Sequence, residues 1–251
     1  MPADFTIVSL YPHMLGTYGD GGNATVLFQR ALAAGMHPEV IEVGALDAVP
    51  ELADVYLLGG GEDQAQVAAC ERLQAWGGLS RAVARGASVL GVCAGFQLLG
   101  QSYGVDGRQV PGLGLLDVTS ERLRRRAVGN IAVVRRSNDE AGPPSGLLLG
   151  FENHAGSTTC GPDVQPLGRV AVGIGNGDDV DGAVNGRVVG TYLHGPVLAR
   201  NPSLADWLLG LPTADREHVD ERDDLVAALR AERVEHIPAG RRTRAELRRL
   251  L

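Results

Sequence analysis

Residues 87–97 read Ala87-Ser-Val-Leu-Gly-Val-Cys93-Ala-Gly95-Phe-Gln97. The run from Ala87 to Val92 is nearly continuous in apolar residues, the pattern of a central strand in a parallel sheet covered on both faces. It breaks at Gly91-Val-Cys93-Ala-Gly95, and a helix is predicted from there through Gly100. A strand that delivers a nucleophile to a tight, glycine-flanked turn before a helix is the cysteine form of the Gly-x-Ser-x-Gly elbow. At such a junction the helix N-terminus favours thiolate, and backbone N–H groups beside the sulfur can hold an oxyanion. The plain alternative is an inert buried cysteine in an αβ turn.

The same alternation runs upstream. Phe5 to Leu10 is a short apolar run, followed by the turn Gly16-Thr-Tyr18-Gly-Asp20-Gly-Gly-Asn23. From Asn23 onward Ala24, Leu27, Ala31 and Ala34 recur at helical spacing, and Gly35 is placed to end that helix. Val40–Val43 and Val55–Leu58 read as strands, the second stopping at Gly59-Gly60-Gly61, and Asp63–Trp76 reads as a helix that resumes after Gly77-Gly78 and runs to Ala84. Strand and helix in alternation predict an α/β fold with a central, mostly parallel sheet and helices on both faces.

Beyond Leu115 the runs become short and β-like: Leu115–Thr119, Val128–Val134, Leu147–Glu152, Val170–Ile174 and Val188–Leu193, with a hairpin signal at Asn185-Gly186. They read as mixed or antiparallel strands added to the same sheet. Residues 1–211 are assigned to this domain and 212–251 to a C-terminal helical extension, with a helix from Arg222 to Glu235 and a basic tail, Arg241 to Arg249. Nine acids and nine arginines in residues 213–251 give the extension the character of a solvated appendage.

Composition narrows the function. The formal charge of −7 argues against nucleic acid as a partner, because phosphate neutralisation needs a basic surface. All 23 cationic side chains are arginine, so a Walker-type or Schiff-base lysine is excluded and any ATP chemistry belongs to another polypeptide. Cys70, Cys93 and Cys160 stand far apart without a Cys-x-x-Cys, so neither a disulfide framework nor a metal site is expected. No stretch reaches the roughly 20 apolar residues of a membrane helix, and a cytoplasmic protein is expected.

A base for Cys93 is available in His194, which follows the apolar run Val188–Leu193 and precedes Gly195-Pro196. A histidine at a strand end can be held against a thiol from the neighbouring strand end. Asp20 and Asn23 read equally well as a turn and helix N-cap, and Glu152 and His154 as structural hydrogen-bonding residues at a strand end.

Taken together, Gly59-Gly60-Gly61 after a strand, Gly-x-Cys93-x-Gly-x-Gln97 at an elbow, and Tyr-Leu-His194-Gly about a hundred residues later resemble the class I (triad) glutamine amidotransferases of the CobB/CobQ-like, cobyric-acid-synthase-like branch. Tyr18-Gly-Asp20-Gly-Gly-Asn23 and Gly150-Phe-Glu152-Asn-His154-Ala-Gly156 are similar to the GatD glutaminase subunits of lipid II isoglutaminyl synthases. The resemblance spans roughly residues 5–210 and implies a flavodoxin-like domain. It implies that Cys93 attacks the side-chain amide of L-glutamine to give a thioester and ammonia, and that His194 relays the proton. It places the oxyanion hole at Gly59, Gly60, Gly61 and Ala94, and substrate contacts at Gln97 and at Arg126 of the Arg124-Arg-Arg126 run, which suits a carboxylate.

The resemblance further implies a heterodimer with a MurT-like Mur-ligase subunit that holds ATP and Mg²⁺, leaving no cofactor in this chain. That complex would amidate the α-carboxyl of D-glutamate in lipid II at the inner face of the membrane. One departure stands out: two residues beyond His194, where many such enzymes carry a glutamate, this chain has Pro196. The third triad member is expected either from the Asp178-Asp179-x-Asp181 cluster or, as the GatD resemblance implies, from the partner. Three other readings are a glutaminase for a cobyrinate-type amidase, a non-catalytic interaction protein on the same fold, and a free-standing cysteine hydrolase of γ-glutamyl substrates with its own complete triad.

Overall fold

A computed structural model describes residues 3–17, 19–136, 141–211, 222–237 and 242–251. Tyr18 of the Tyr18–Asn23 motif, residues 212–221 and 238–240 of the C-terminal extension, and Arg241 of the basic tail lie outside the described residues.

In the first half, β1 (Phe5–Leu10), α1 (Gly21–Ala33), β2 (Pro38–Val43), β3 (Val55–Leu58), α2 (Asp63–Trp76), α3 (Gly78–Ala84), β4 (Ser88–Val92) and α4 (Ala94–Leu99) follow one another as the apolar periodicity predicts. The four strands are mutually parallel in the order β2-β1-β3-β4. β3 and β4 are buried at every position, which is why they read as unbroken apolar runs. β2 lies at the edge and exposes Glu39 and Glu42. Helix α1 turns Ala24, Leu27 and Ala31 inward and ends in a Schellman motif. There Met36 N–H reaches Ala31 O at 3.0 Å and Gly35 N–H reaches Leu32 O at 2.9 Å, with Gly35 at φ 82°.

The second half makes a sheet of its own rather than extending the first. β5 (Ser102–Val105), β6 (Arg108–Pro111), β7 (Val118–Arg135), β8 (Gly146–Cys160), β9 (Gly168–Val172) and β10 (Val180–Asp181) form it, with β7 bordered by β5, β8 and β9. Only β11 (Ala183–Asn185) and β12 (Val188–Thr191) return to the first sheet, β12 pairing parallel to β4 and β11 closing the edge antiparallel. The sequence pattern shows strands without showing their neighbours; the long β7–β8 hairpin pairs with itself and so forms its own sheet. The hairpin β5–β6 turns on Asp106-Gly107, φ 50° and 73°, both left-handed as a type I′ turn requires.

Side chains alternate across β7. Ile131 and Val133 enter the main core, while Ala132 and Val134 point the other way into a smaller core with Leu147, Leu149, Val234, Ile237 and Leu247. Those last three belong to the C-terminal segment, whose helices are α7 (Asp223–His236) and α8 (Arg244–Arg248). The segment therefore covers the outer face of the second sheet instead of standing off in solvent. Between β12 and α7 lie the short helices α5 (Val197–Arg200) and α6 (Pro202–Leu208). Arg30 of α1 fastens α6 and α7 together: its Nε and Nη2 donate to Asp206 at 2.7 and 2.8 Å, and Nη1 donates to Asp223 at 2.6 Å. Among the described residues no helix is long and apolar enough to cross a membrane.

Candidate active site

Cys93 sits between β4 and α4 with φ 55° and ψ −107°, a conformation that costs a non-glycine residue of order 1–3 kcal/mol and persists only when its surroundings enforce it. The enforcement is visible in the flanking glycines. A Cβ on Gly91 would come within 2.7 Å of the Gly95 carbonyl, and one on Gly95 would lie 2.4 Å from Leu58 O. Helix α4 is thus pressed onto β3 and β4, and the sulfur is pushed up into the turn.

Cys93 opens onto a cleft of about 120 Å³ whose lining includes Gly61, Glu62, Ala94, Gln97, Arg126, Asn153 and His154. The cleft lining is charged, with Arg122 and Arg126 among it as well as Glu62, Asp63 and Glu121, and Arg122 Nη1 pairs with Asp63 Oδ2 at 3.4 Å. Arg126 stands where the β7–β8 pairing lapses between Arg122 and Ala127, and its guanidinium is aimed by Asn153, Nε to Oδ1 at 2.6 Å and Nη2 to the carbonyl at 3.1 Å.

His194 lies just past β12. Because Val92 pairs with Thr191, and Cys93 N–H donates to Thr191 O at 2.9 Å, the thiol and the imidazole occupy the same carboxyl end of adjacent strands. His194 is fully buried, bridges to Phe151 of β8 through both backbone groups, and stacks on its ring at 5.4 Å. Its Nδ1 is 2.8 Å from Tyr192 O; a carbonyl only accepts, so Nδ1 carries the proton and Nε2 is the basic nitrogen. Tyr192 also organises the floor of the cleft. His154 stacks on its ring at 3.8 Å, and its hydroxyl meets Gln97 Nε2 at 3.1 Å and Thr158 at 2.8 Å. Gly156 closes over this cluster; a Cβ there would lie 2.1 Å from Gln97 Nε2 and 2.3 Å from the Tyr192 oxygen.

Burial dominates the electrostatics. The Cys93 thiol is pushed up to about 12, first by desolvation and then by the charge of Asp20. The short helix α4 therefore does not make it a thiolate, and the expected acidic thiol is corrected: the Ala94 N–H and Arg126 favour the anion but are outweighed. His194 is pulled down to about 4, mainly by burial. At neutral pH both partners rest uncharged.

These elements form a strained thiol, a buried imidazole on the next strand and a charged cleft over them. Over residues 6–202 the chain matches the CobB/CobQ-like glutamine amidotransferase domain. The chain belongs to that family. It is 32% identical over 232 residues to the lipid II isoglutaminyl synthase (glutamine-hydrolyzing) subunit GatD of Staphylococcus aureus (strain N315), covering 88% of this chain and 92% of that one. To the same-named subunit of Streptococcus pneumoniae (strain ATCC BAA-255 / R6) it is 35% identical over 210 residues, covering 81% and 78%. A solved glutamine amidotransferase from Thermotoga maritima shares the fold at a TM-score of 0.54 and 16% identity, covering 82% of this chain and 81% of that one. The chain is accordingly a glutamine-hydrolysing amidotransferase.

Within this amidotransferase domain the expected site residues divide. Cys93, Ala94, Gly61, Gln97 and Arg126 line one cleft. Gly60 N–H instead turns away to Asp20 Oδ2 at 2.7 Å, and Gly59 O accepts Gly95 N–H at 3.0 Å. Asp20 makes no side-chain cap to α1, and Asn23 uses its Oδ1 on Leu198 N–H at 3.0 Å, so the N-cap reading gives way to tertiary contacts. Glu152 accepts the N–H groups of Ile174 and Gly175 at 3.0 Å, a structural task. Of the acidic cluster, Asp181 accepts from Thr191 Oγ1 at 2.5 Å and Tyr192 N–H at 3.2 Å, which braces β12 behind His194, and Asp178 acts on Cys160. The sequence reading missed Arg122, Gln66, Glu62 and the hub role of Tyr192, although Tyr192 stands only two residues before His194. Among the described residues no group of three or more His, Cys, Asp or Glu is placed to hold a metal ion.

Proposed function

We propose that this chain is the glutaminase subunit of an ATP-dependent complex in which a Mur-ligase-like partner amidates the α-carboxyl of D-glutamate in lipid II. The observation that carries this reading is the pairing of strained Cys93 and buried His194 in a chain matched over 92% of the length of the S. aureus GatD subunit. A chain without lysine fits a division of labour in which the partner holds the nucleotide and its Mg²⁺.

In the proposed reaction the neutral thiol loses its proton to His194 Nε2 as sulfur attacks the glutamine carboxamide carbon. The tetrahedral oxyanion is met by the backbone N–H groups of Ala94 and Gly61, the member of the glycine turn that lines the cleft. Collapse breaks the C–N bond, His194 returns the proton to the leaving nitrogen, and ammonia departs from the γ-glutamyl thioester. Water, deprotonated by His194, then hydrolyses the thioester to glutamate and restores the thiol. Glutamine is a zwitterion, and the cleft matches it: Arg126 suits the α-carboxylate, while Glu62 in the same lining suits the α-ammonium. Tyr192 O holds the imidazole by its Nδ1–H, and a carboxylate from the partner is the third triad member in this reading.

The test is ammonia release from glutamine by the chain alone and with a co-expressed Mur-ligase-like subunit, against a Cys93→Ala control. Release that rises strongly with the partner supports the reading; no release in either preparation defeats it.

A further inference from the structure

Asp20 is a buried carboxyl that the mechanism above does not use. It is 5% exposed, caps no helix, and places one oxygen, Oδ2, on Gly60 N–H at 2.7 Å. Its other oxygen, Oδ1, is buried and finds no hydrogen-bond partner among the described residues. Among the described residues no cation pairs with it, and burial lifts its pKa to about 6. An idle buried carboxyl oxygen is destabilising, so a folded chain that keeps one calls for a reason.

The position supplies the reason. Gly59 has no room for a side chain, because a Cβ would lie 2.0 Å from Leu15 O and 2.8 Å from Asp20 Cβ. Asp20 can therefore press against the glycine turn, and the turn presses in its own right on the elbow, since Gly59 O accepts Gly95 N–H two residues past Cys93. With Gly60 N–H drawn inward by Asp20, the next residue, Gly61, is the one that faces the cleft. The charged groups that act on the sulfur are Asp20 and Glu62, which oppose thiolate, and Arg126, which favours it; His194, on the adjacent strand, is neutral.

Taking Cys93 as the nucleophile of the reading above, we infer that Asp20 is a positioning residue for it. One side chain both clamps the Gly59–Gly61 turn through Gly60 N–H and keeps a negative charge beside the sulfur, holding the thiol protonated until a base takes the proton. Asp20 touches no substrate; it acts through the turn and through the field at Cys93.

Two variants separate these effects. Asp20→Asn keeps an acceptor for Gly60 N–H and removes the charge, whereas Asp20→Ala removes both. The pH profile of Cys93 alkylation by iodoacetamide between pH 7 and 9, followed on its own peptide by mass spectrometry, is expected to run several-fold higher in Asp20→Asn than in the parent chain. In the assembled complex Asp20→Ala is expected to lower kcat for glutamine hydrolysis about tenfold or more with KM changed far less, while Asp20→Asn recovers most of the rate. An unshifted alkylation profile in Asp20→Asn, or a parental kcat in Asp20→Ala, overturns the inference. The alkylation profile is read on the chain alone, so it tests Asp20 even where the complex shows no glutaminase activity and the functional reading itself fails.

Discussion

The strand ends around Cys93 and the outer face covered by α7 are built on opposite plans. Around Cys93 the holding groups are backbone and space: three strands buried at every residue, glycines too crowded for a methyl, and a strained φ. On the outer face a thin layer of aliphatic contacts is joined to a buried ionic clasp, Arg30 with Asp206 and Asp223. Rigidity at the first is therefore largely steric, while attachment at the second rests on a charge that must stay compensated. The lesson is that the chemistry was placed where geometry cannot relax, and the cover was attached where it can be released.

The comparison breaks most openly at Cys93. Cys93→Ala is expected to lower glutamine turnover by about 10⁴-fold or more with stability changed by less than about 1 kcal/mol; steady-state ammonia release and urea unfolding check the two halves. At the clasp the order reverses. Arg30→Ala leaves Asp206 buried without its cation and should cost about 3–5 kcal/mol in urea unfolding, with kcat per folded molecule unchanged; a large loss of kcat would mean that the clasp reaches the site.

A pH titration sharpens the contrast. His194 has a folded pKa of about 4 against about 6.5 unfolded, so the unfolded chain binds the extra proton between those values. Its contribution is present above pH 6.5 and is lost as pH falls toward 4. Stability of the parent relative to His194→Gln should therefore drop by about 3 kcal/mol between pH 7 and pH 4, measured by denaturant unfolding at each pH. Asp20 and Asp181, both raised to about 6, work in the opposite direction and are common to both proteins. The smallest effect belongs to Val234→Ala, about 2 kcal/mol of stability by loss of buried methyl groups, with glutaminase activity untouched.

Much of this was legible in the sequence, and the failures have physical causes. Continuous apolar runs located β3, β4 and β12, and the elbow pointed to the cleft that Cys93 lines, because full burial and tight turns restrict residue choice severely. The split into two sheets was not legible, since a run such as Val128–Val134 shows alternation without showing its neighbour. The β5–β6 hairpin was legible in Asp106-Gly107 and was passed over. In the C-terminal helix the conspicuous leucines mislead: Leu225 and Leu229 are exposed, whereas Val234, Ile237 and Leu247, scattered among charges, are buried. Asp20 looked like a cap because the residue type suits one, and only the three-dimensional approach of Gly59 shows its other use.

Gly156 has a consequence for how strands β8 and β12 stay aligned. Its missing side chain leaves the space that Gln97 and the Tyr192 hydroxyl occupy. A slip of one residue along β8 would bring Ala155 or Ser157 into that space, too large by one and by two heavy atoms respectively. Alignment here is kept by a vacancy, which accepts one residue type and rejects the other nineteen.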